Sequence, residues 1–174
     1  PSMGPKPVCQ NEDFEELFAK YLPMFDGIST RETQSSKFLH EKFSIDTTTV
    51  LDPVLLLKDE TYSSLYGEKP LIKGKYIFLY TVKCEPEVLK AAKRLSKQLN
   101  MPVYTLFNTY RSENNRLYGL KTIYNYGPED FLNIVKNAEL VLSDSFHGNV
   151  FSIILEKKFY YLAPVDEQGN MIQD

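Results

Sequence analysis

At 174 residues the chain is long enough for one ordinary domain, or for one domain and part of a second. Its 43% hydrophobic and 25% charged residues are those of a globular protein and exclude a disordered composition. A formal net charge of −3 argues against a nucleic-acid binder or a protein held to an anionic membrane, both of which present a basic face. The 12 Tyr and 11 Phe favour a substantial core, and exposed tyrosines also suit a sugar-binding cleft. Cys9 and Cys84 form no CxxC pair, so neither a disulfide framework nor a structural zinc site is expected, and a reducing, cytoplasmic compartment fits. No apolar run approaches the about 20 residues of a membrane helix, and no signal peptide opens the chain.

Pro1 to Pro7 reads as irregular. Glu12 to Phe25 carries Phe14, Leu17, Phe18 and Tyr21 at helical spacing, with Asn11 or Asp13 as N-cap. Asp26-Gly27 is a turn, Ile28-Ser29-Thr30 a short strand, and Arg31 to Phe43 a second helix, on whose polar surface His40 reads as solvated. Thr49-Val50-Leu51 has the look of a buried strand, broken by Asp52-Pro53. From Glu60 to Lys75 the pattern dissolves, and the stretch reads as a linker between lobes.

Beyond it the rhythm becomes regular. Tyr76 to Val82 is a continuous apolar run, as expected for a strand covered on both faces. Glu85 to Asn100 is an amphipathic helix with Val88, Ala91, Ala92, Leu95 and Leu99 on one stripe. Val103 to Phe107 is a strand and Asn108 to Leu117 a polar loop. Asp130 to Asn137 is a helix buried through Phe131, Ile134, Val135 and Ala138. Leu140-Val141-Leu142 is a strand, Phe146 to Leu155 a helix, and Phe159 to Leu162 a strand. Strand alternating with helix predicts a parallel sheet, hence an α/β fold with a Rossmann-like second lobe. The expected organisation is a partial first Rossmann-like lobe over 1–59, a linker over 60–75 and the second lobe over 76–174. The first lobe opens in a helix rather than a strand and Gly-rich turn, and Met171 to Asp174 does not read as a natural terminus. A fragment of a longer chain is the expectation.

The chemistry concentrates between Leu142 and Phe151, where a buried strand passes through Ser143-Asp144-Ser145 into a helix. Ligands of parallel α/β sheets bind beyond the carboxyl ends of strands, and a helix starting there directs N–H groups and partial positive charge into the crevice. Ser143 and Ser145 add hydroxyls, Phe146 borders them, and Gly148 permits close approach of a ligand to the backbone. His147, in the first turn, is a candidate catalytic group, able to donate to an oxyanion or shuttle a proton near neutral pH. The same residues also suit a plain N-cap, a close-packing glycine and a satisfied histidine. Tyr80 and Thr81 end a strand on the cleft side, fitting either ligand contact or a capped core strand. Arg31 beside Glu32 fits either an anion contact or a surface ion pair.

The segment Leu142-Ser143-Asp144-Ser145-Phe146-His147-Gly148-Asn149-Val150-Phe151-Ser152 resembles the C-terminal signature of the polysaccharide pyruvyl transferase family. Phe25-Asp26-Gly27-Ile28-Ser29-Thr30-Arg31-Glu32 is similar to its strand-to-helix segment with an Arg-acid pair. Asp52-Pro53-Val54-Leu55-Leu56-Leu57 resembles its Asp-Pro-hydrophobic segment. Tyr76 to Tyr80 and Gly127 to Phe131 match more loosely. The resemblance implies a GT-B-like fold of two Rossmann-like lobes. It also implies transfer of the enolpyruvyl carbons of phosphoenolpyruvate onto two sugar hydroxyls as a ketal, without metal or other cofactor. The acceptor would be a surface polysaccharide of bacterial type or its lipid-linked precursor, with peripheral membrane contact at most. On this reading Ser143, Ser145 and the amides near His147 hold phosphate or carboxylate, His147 supplies a hydrogen bond and the proton, and Arg31 grips the other anionic group in bidentate fashion. Two alternatives stay open: a GT-B glycosyltransferase using a nucleotide sugar, and a non-catalytic anion-binding module of a larger chain.

Overall fold

Tyr76 to Tyr80 alternates its side chains between two apolar layers, and this alternation makes the run the centre of a parallel sheet. The computed structural model describes residues 12–82, 85–107 and 118–163. The chain divides into two compact units, the first ending at Leu56 and the second opening at Leu57.

In the first unit, helix α1 (Glu12–Tyr21) leads through a 3₁₀ turn (Leu22–Met24) to strand β1 (Ser29–Thr30). Helix α2 (Thr33–Phe43) then returns the chain to β2 (Thr48–Thr49), parallel to β1. Helix α2 stops at Ser44, whose left-handed backbone (φ 54°) lets its N–H cap the His40 and Leu39 carbonyls. The helix buries Ser35 and Leu39, and Phe43 meets Phe18 and Phe38 edge-on at 6.0 Å each. His40, expected in solvent, is exposed and lies 2.9 Å from Asp46. The N-cap expected at Asn11 lies outside the described residues.

One expectation here needs correction. The strand anticipated as buried Thr49-Val50-Leu51 is instead Thr48–Thr49, and Val50 and Leu51 stand 40% and 68% exposed. Val50 N–H makes a last 2.8 Å bond to Thr30 O, after which Asp52 turns the backbone by accepting from Leu55 N at 2.9 Å. Apolar composition over three residues carries no information on whether a neighbouring layer covers them.

The second unit is a five-stranded, all-parallel sheet in the order β5-β4-β3-β6-β7. Its strands are β3 (Ile77–Tyr80), β4 (Val103–Leu106), β5 (Lys121–Ile123), β6 (Leu140–Ser143) and β7 (Phe159–Tyr161). Helices α3 (Asp59–Tyr66), α4 (Pro86–Leu99), α5 (Pro128–Asn137) and α6 (Phe146–Ile154) complete it. One face of the sheet buries Tyr76, Phe78 and Val141 against Tyr62 of α3, Ile134 and Val135 of α5 and Leu155 after α6. The opposite face buries Ile77, Leu79, Leu140 and Leu142 against Leu89 and Ala92 of α4. Side-chain alternation along β3 and β6 thus builds both layers at once, which is why these strands read as continuous apolar runs.

The stretch expected as a patternless linker, Glu60 to Lys75, is corrected in its first part. Helix α3 runs Asp59–Tyr66, Tyr62 is 7% exposed, and its ring meets Phe151 edge-on at 5.4 Å. Asn133 of α5 secures the rest, its Nδ2 donating to the Tyr66 and Lys69 carbonyls while its Oδ1 accepts from Leu71 N at 2.9 Å. On α4 the stripe is centred on Leu89 and Ala92, flanked by Val88 and Leu95, whereas Ala91 and Leu99 of the expected stripe face solvent. The three-residue edge strand β5 carried no sequence signal, because Lys121-Thr122 is polar. The polar loop expected over Asn108 to Leu117 lies outside the described residues.

Candidate active site

The chain leaves β3 towards β4 and β5 on one side, then returns across β3 to β6 and β7 on the other. The strand order therefore reverses between β3 and β6, the position at which open parallel sheets bind ligands beyond their carboxyl ends. The residues that follow these two strands are Thr81-Val82 and Asp144-Ser145-Phe146-His147.

Hydrogen bonds lock this pair of strand ends together. Ser143 Oγ donates to the Tyr80 carbonyl at 2.8 Å and accepts from Ser145 N at 3.1 Å. Asp144 takes the Thr81 hydroxyl at 2.7 Å on one carboxylate oxygen and the Val82 amide at 2.8 Å on the other. Ser145 is the N-cap of α6, its Oγ accepting from Gly148 N at 3.4 Å, and Asn149 Nδ2 donates to Ser145 O at 2.9 Å. The turn is thus rigid before any ligand arrives.

These contacts revise two expected roles. Ser143 was expected to offer its hydroxyl to an anion, but it is fully buried and both its donor and one acceptor lobe are spent on backbone. Gly148 was expected to admit a ligand, yet a β-carbon there would lie 2.3 Å from Ser143 Oγ and 2.9 Å from Tyr80 Cδ1. Its lack of a side chain serves the close seating of α6 on the ends of β3 and β6. Thr81, 8% exposed, spends its hydroxyl on Asp144. Asp144 bridges the two strand ends, a role whose local signal is an acidic residue between two serines at a strand end.

His147 and Phe146 stand differently. Both are exposed, Phe146 at 50%, and their rings meet edge-on at 5.2 Å. The imidazole therefore projects to the surface from the first turn of α6, where the helix N-terminus favours negative charge. Tyr80 is half-buried. Its ring packs on Phe131 at 4.9 Å, and burial, then Tyr126 and Asp144, raise its phenol above the ordinary value, so it remains a hydrogen-bond donor at neutral pH.

Arg31 lies in the first unit directly after β1. It pairs closely with Asp52 and at 3.7 Å with Glu32. Asp52 is 6% exposed and also accepts from Val54 N at 3.1 Å. These contacts tie the guanidinium at the end of β1 to the Asp52-Pro53 turn.

A parallel sheet with helices on both faces and a strand-to-helix turn at its switch point defines a Rossmann-like unit of GT-B-like architecture. Residues 2–166 match the polysaccharide pyruvyl transferase family, and the chain belongs to that family. No curated protein matches it. Among solved structures, the UDP complex of Staphylococcus aureus MnaA aligns with a TM-score of 0.52 at 16% identity, over 88% of this chain and 46% of that one. The wall teichoic acid polymerase TagF aligns with a TM-score of 0.49 at 14% identity, over 90% of this chain and 42% of that one. The UDP-GlcNAc 2-epimerase of Methanocaldococcus jannaschii aligns with a TM-score of 0.47 at 16% identity, over 63% and 34%. The chain therefore spans less than half the length of these structures. Among the described residues no helix is long and apolar enough to cross a membrane.

Proposed function

We propose that the second unit is the phosphoenolpyruvate-receiving lobe of a pyruvyl transferase that builds a cyclic ketal on a saccharide. Family membership supports transfer as the reaction class, and one observation carries the rest. His147 is exposed on the first turn of α6, beyond the carboxyl end of β6, on a turn held rigid by Ser143, Asp144 and Ser145. Protonation of the enol methylene carbon generates an oxocarbenium-like centre. One sugar hydroxyl adds to the cationic carbon that bears the phosphate oxygen, its proton passing to solvent or a base, and phosphate then leaves that carbon with the C–O bonding electrons. The second hydroxyl adds to the oxocarbenium carbon that phosphate loss regenerates, gives up its proton to solvent or a base, and closes the ring. His147 in its imidazolium form supplies the proton or a hydrogen bond to the phosphate, and the helix N-terminus favours the departing negative charge. Ser143 and Gly148 position this turn. The cytoplasm, where phosphoenolpyruvate is made, is the proposed compartment, and the acceptor is a bacterial-type surface polysaccharide or its lipid-linked precursor.

The test is a ligand titration followed by NMR, with phosphoenolpyruvate, inorganic phosphate and UDP as probes and His147 as reporter. Phosphoenolpyruvate is expected to shift the His147 ring signals and to bind more tightly than UDP. Tighter binding of UDP, with no response to phosphoenolpyruvate, would replace this reading with a nucleotide-sugar enzyme of the same fold.

A further inference from the structure

In helix α6 two side chains each bond the carbonyl four residues back, and they differ in what they leave over. Ser152 Oγ donates to Gly148 O at 2.7 Å, which satisfies its hydroxyl proton. Asn149 Nδ2 donates to Ser145 O at 2.9 Å, but its Oδ1 is enclosed by protein and makes no hydrogen bond among the described residues. Turned over, the amide would set Oδ1 against the Ser145 carbonyl, acceptor facing acceptor, so its orientation is fixed.

The energetics of this amide are unfavourable for a purely structural group. Ser145 O already accepts from Asn149 N at 3.1 Å, so it keeps a donor without the side chain. A second bond to that oxygen adds a modest gain, whereas a buried acceptor without a donor costs at least as much. Such exceptions, in a turn whose other side-chain groups are paired, occur at functional sites.

The group on which Asn149 acts is the N-cap of α6. Ser145 N donates to Ser143 Oγ, Ser145 Oγ accepts from Gly148 N, and Ser145 O takes both Asn149 donors. The Ser145 carbonyl and the Phe146 amide form one trans peptide, whose N–H lies opposite its C=O. Two donors on the oxygen polarise that peptide and fix its plane, with the positive end directed out of the helix beyond the carboxyl end of β6.

We propose that Asn149 is a positioning residue for anion binding: through the Ser145 carbonyl it sets the direction and strength of the first peptide dipole of α6. The inference rests on the proposed seat for phosphate at this turn, which it deepens by naming the side chain that tunes it.

The experiment compares the parent chain with Asn149→Ala, which deletes the donor and the stranded oxygen together, and Asn149→Ser, whose hydroxyl can repeat the Ser152 bond. Inorganic phosphate and phosphoenolpyruvate are titrated separately and followed by NMR of the amides and the His147 ring, and each protein is unfolded in urea. Asn149→Ala is expected to unfold at or above the parent midpoint, since alanine also favours the helix, yet to bind phosphate about two- to fivefold more weakly, the size of one helix-terminus interaction. Without ligand, its Phe146 amide nitrogen signal should move from the parent position. Asn149→Ser should return both the signal and the affinity towards the parent. A lower midpoint with unchanged phosphate affinity would mark a structural role and overturn the proposal. So would failure of Asn149→Ser to recover the affinity, or absence of phosphate binding by the parent. If the parent binds phosphate but not phosphoenolpyruvate, the pyruvyl donor is removed while the positioning role stands on the phosphate titrations.

Discussion

Gly148 sits so close to Ser143 that a β-carbon on the glycine would fall 2.3 Å from the serine Oγ and 3.1 Å from its Cβ. Helix α6 thus rests directly on the end of β6, and the serine hydroxyl that fills the contact also bonds Tyr80 O and Ser145 N. Gly148→Ala should destabilise the second unit by about 1–3 kcal/mol through overpacking. Ser143→Ala should cost a similar amount, about 1–3 kcal/mol, by stranding a buried carbonyl and amide. In the double variant the two losses should be less than additive, because removing Oγ relieves the worst of the clash. Urea unfolding of the four proteins in a double-mutant cycle measures this, and strict additivity would deny the contact.

His147 should separate activity from stability. Its imidazole is exposed, so His147→Ala is expected to leave the unfolding midpoint within about 0.5 kcal/mol of the parent. Turnover of phosphoenolpyruvate by the active enzyme should fall by about 100-fold, the usual range for a lost proton-transfer group. Steady-state rates and thermal unfolding of the same preparation give both numbers.

Asp144 holds two groups across the strand order reversal, Thr81 Oγ1 and Val82 N. Asp144→Ala removes both bonds and should cost about 1–2 kcal/mol, whereas Asp144→Asn retains one good acceptor and should lose less. Thr81→Val removes one bond and should lose about 1 kcal/mol. Amide exchange at Val82 is the direct probe, and it should accelerate most in the alanine variant.

These two strand ends show what the sequence makes legible. The apolar runs at Tyr76–Val82 and Leu140–Leu142, and the polar turn after the second, were readable because sheet burial on both faces leaves an unbroken signature. The direction of each side chain within the turn was not. Ser143 and Gly148 look like ligand groups in one dimension, and only the packing of α6 on β6 shows that they meet each other. Helix α3 has no clear pattern in the sequence, because Tyr62 and Tyr66, its apolar contacts, lie among serines and close to Gly67 and Pro70. Strand β5 has none either, because an edge strand of three residues needs no apolar face. Arg31 and Asp52, 21 positions apart, each belonged to a recognisable segment, but nothing local linked them.

That link makes its own prediction. Asp52 is 6% exposed and its carboxylate is neutralised by Arg31. Arg31→Met strands a buried charge and should destabilise the first unit by about 2 kcal/mol, below the full cost of a deeply buried pair because the guanidinium is 23% exposed. Arg31→Met with Asp52→Asn should recover part of that loss. Chemical denaturation followed by far-UV circular dichroism tests it; equal stability of Arg31→Met and the parent would show that the pair is not structural.

The pH dependence of the second unit should follow the tie between α3 and α5. Asp59 accepts from Tyr66 OH at 2.6 Å and pairs closely with Lys136, whose ammonium also lies 5.6 Å from the Tyr66 ring centre. Burial pushes the Asp59 pKa up, but the hydrogen bonds from Lys136 and Tyr66 and the lysine charge outweigh it, and the net displacement is below the ordinary 3.8. The Lys136 pKa is raised above 10.5, chiefly by its hydrogen bond to Asp59. A depressed carboxylate stabilises the fold above its unfolded pKa, and that contribution disappears as pH falls through the folded value. A raised ammonium stabilises below its unfolded pKa, and that contribution disappears as pH rises through the folded value. The tie is therefore whole across neutral pH and is lost below about pH 4 and above about pH 10.5. Because both side chains are about a third exposed, its worth is about 0.5–1 kcal/mol. Asp59→Asn should remove that increment at pH 7, and the difference from the parent should shrink steadily as pH is lowered through the acid range. A loss that does not change with pH would assign the effect to packing of α3 rather than to charge.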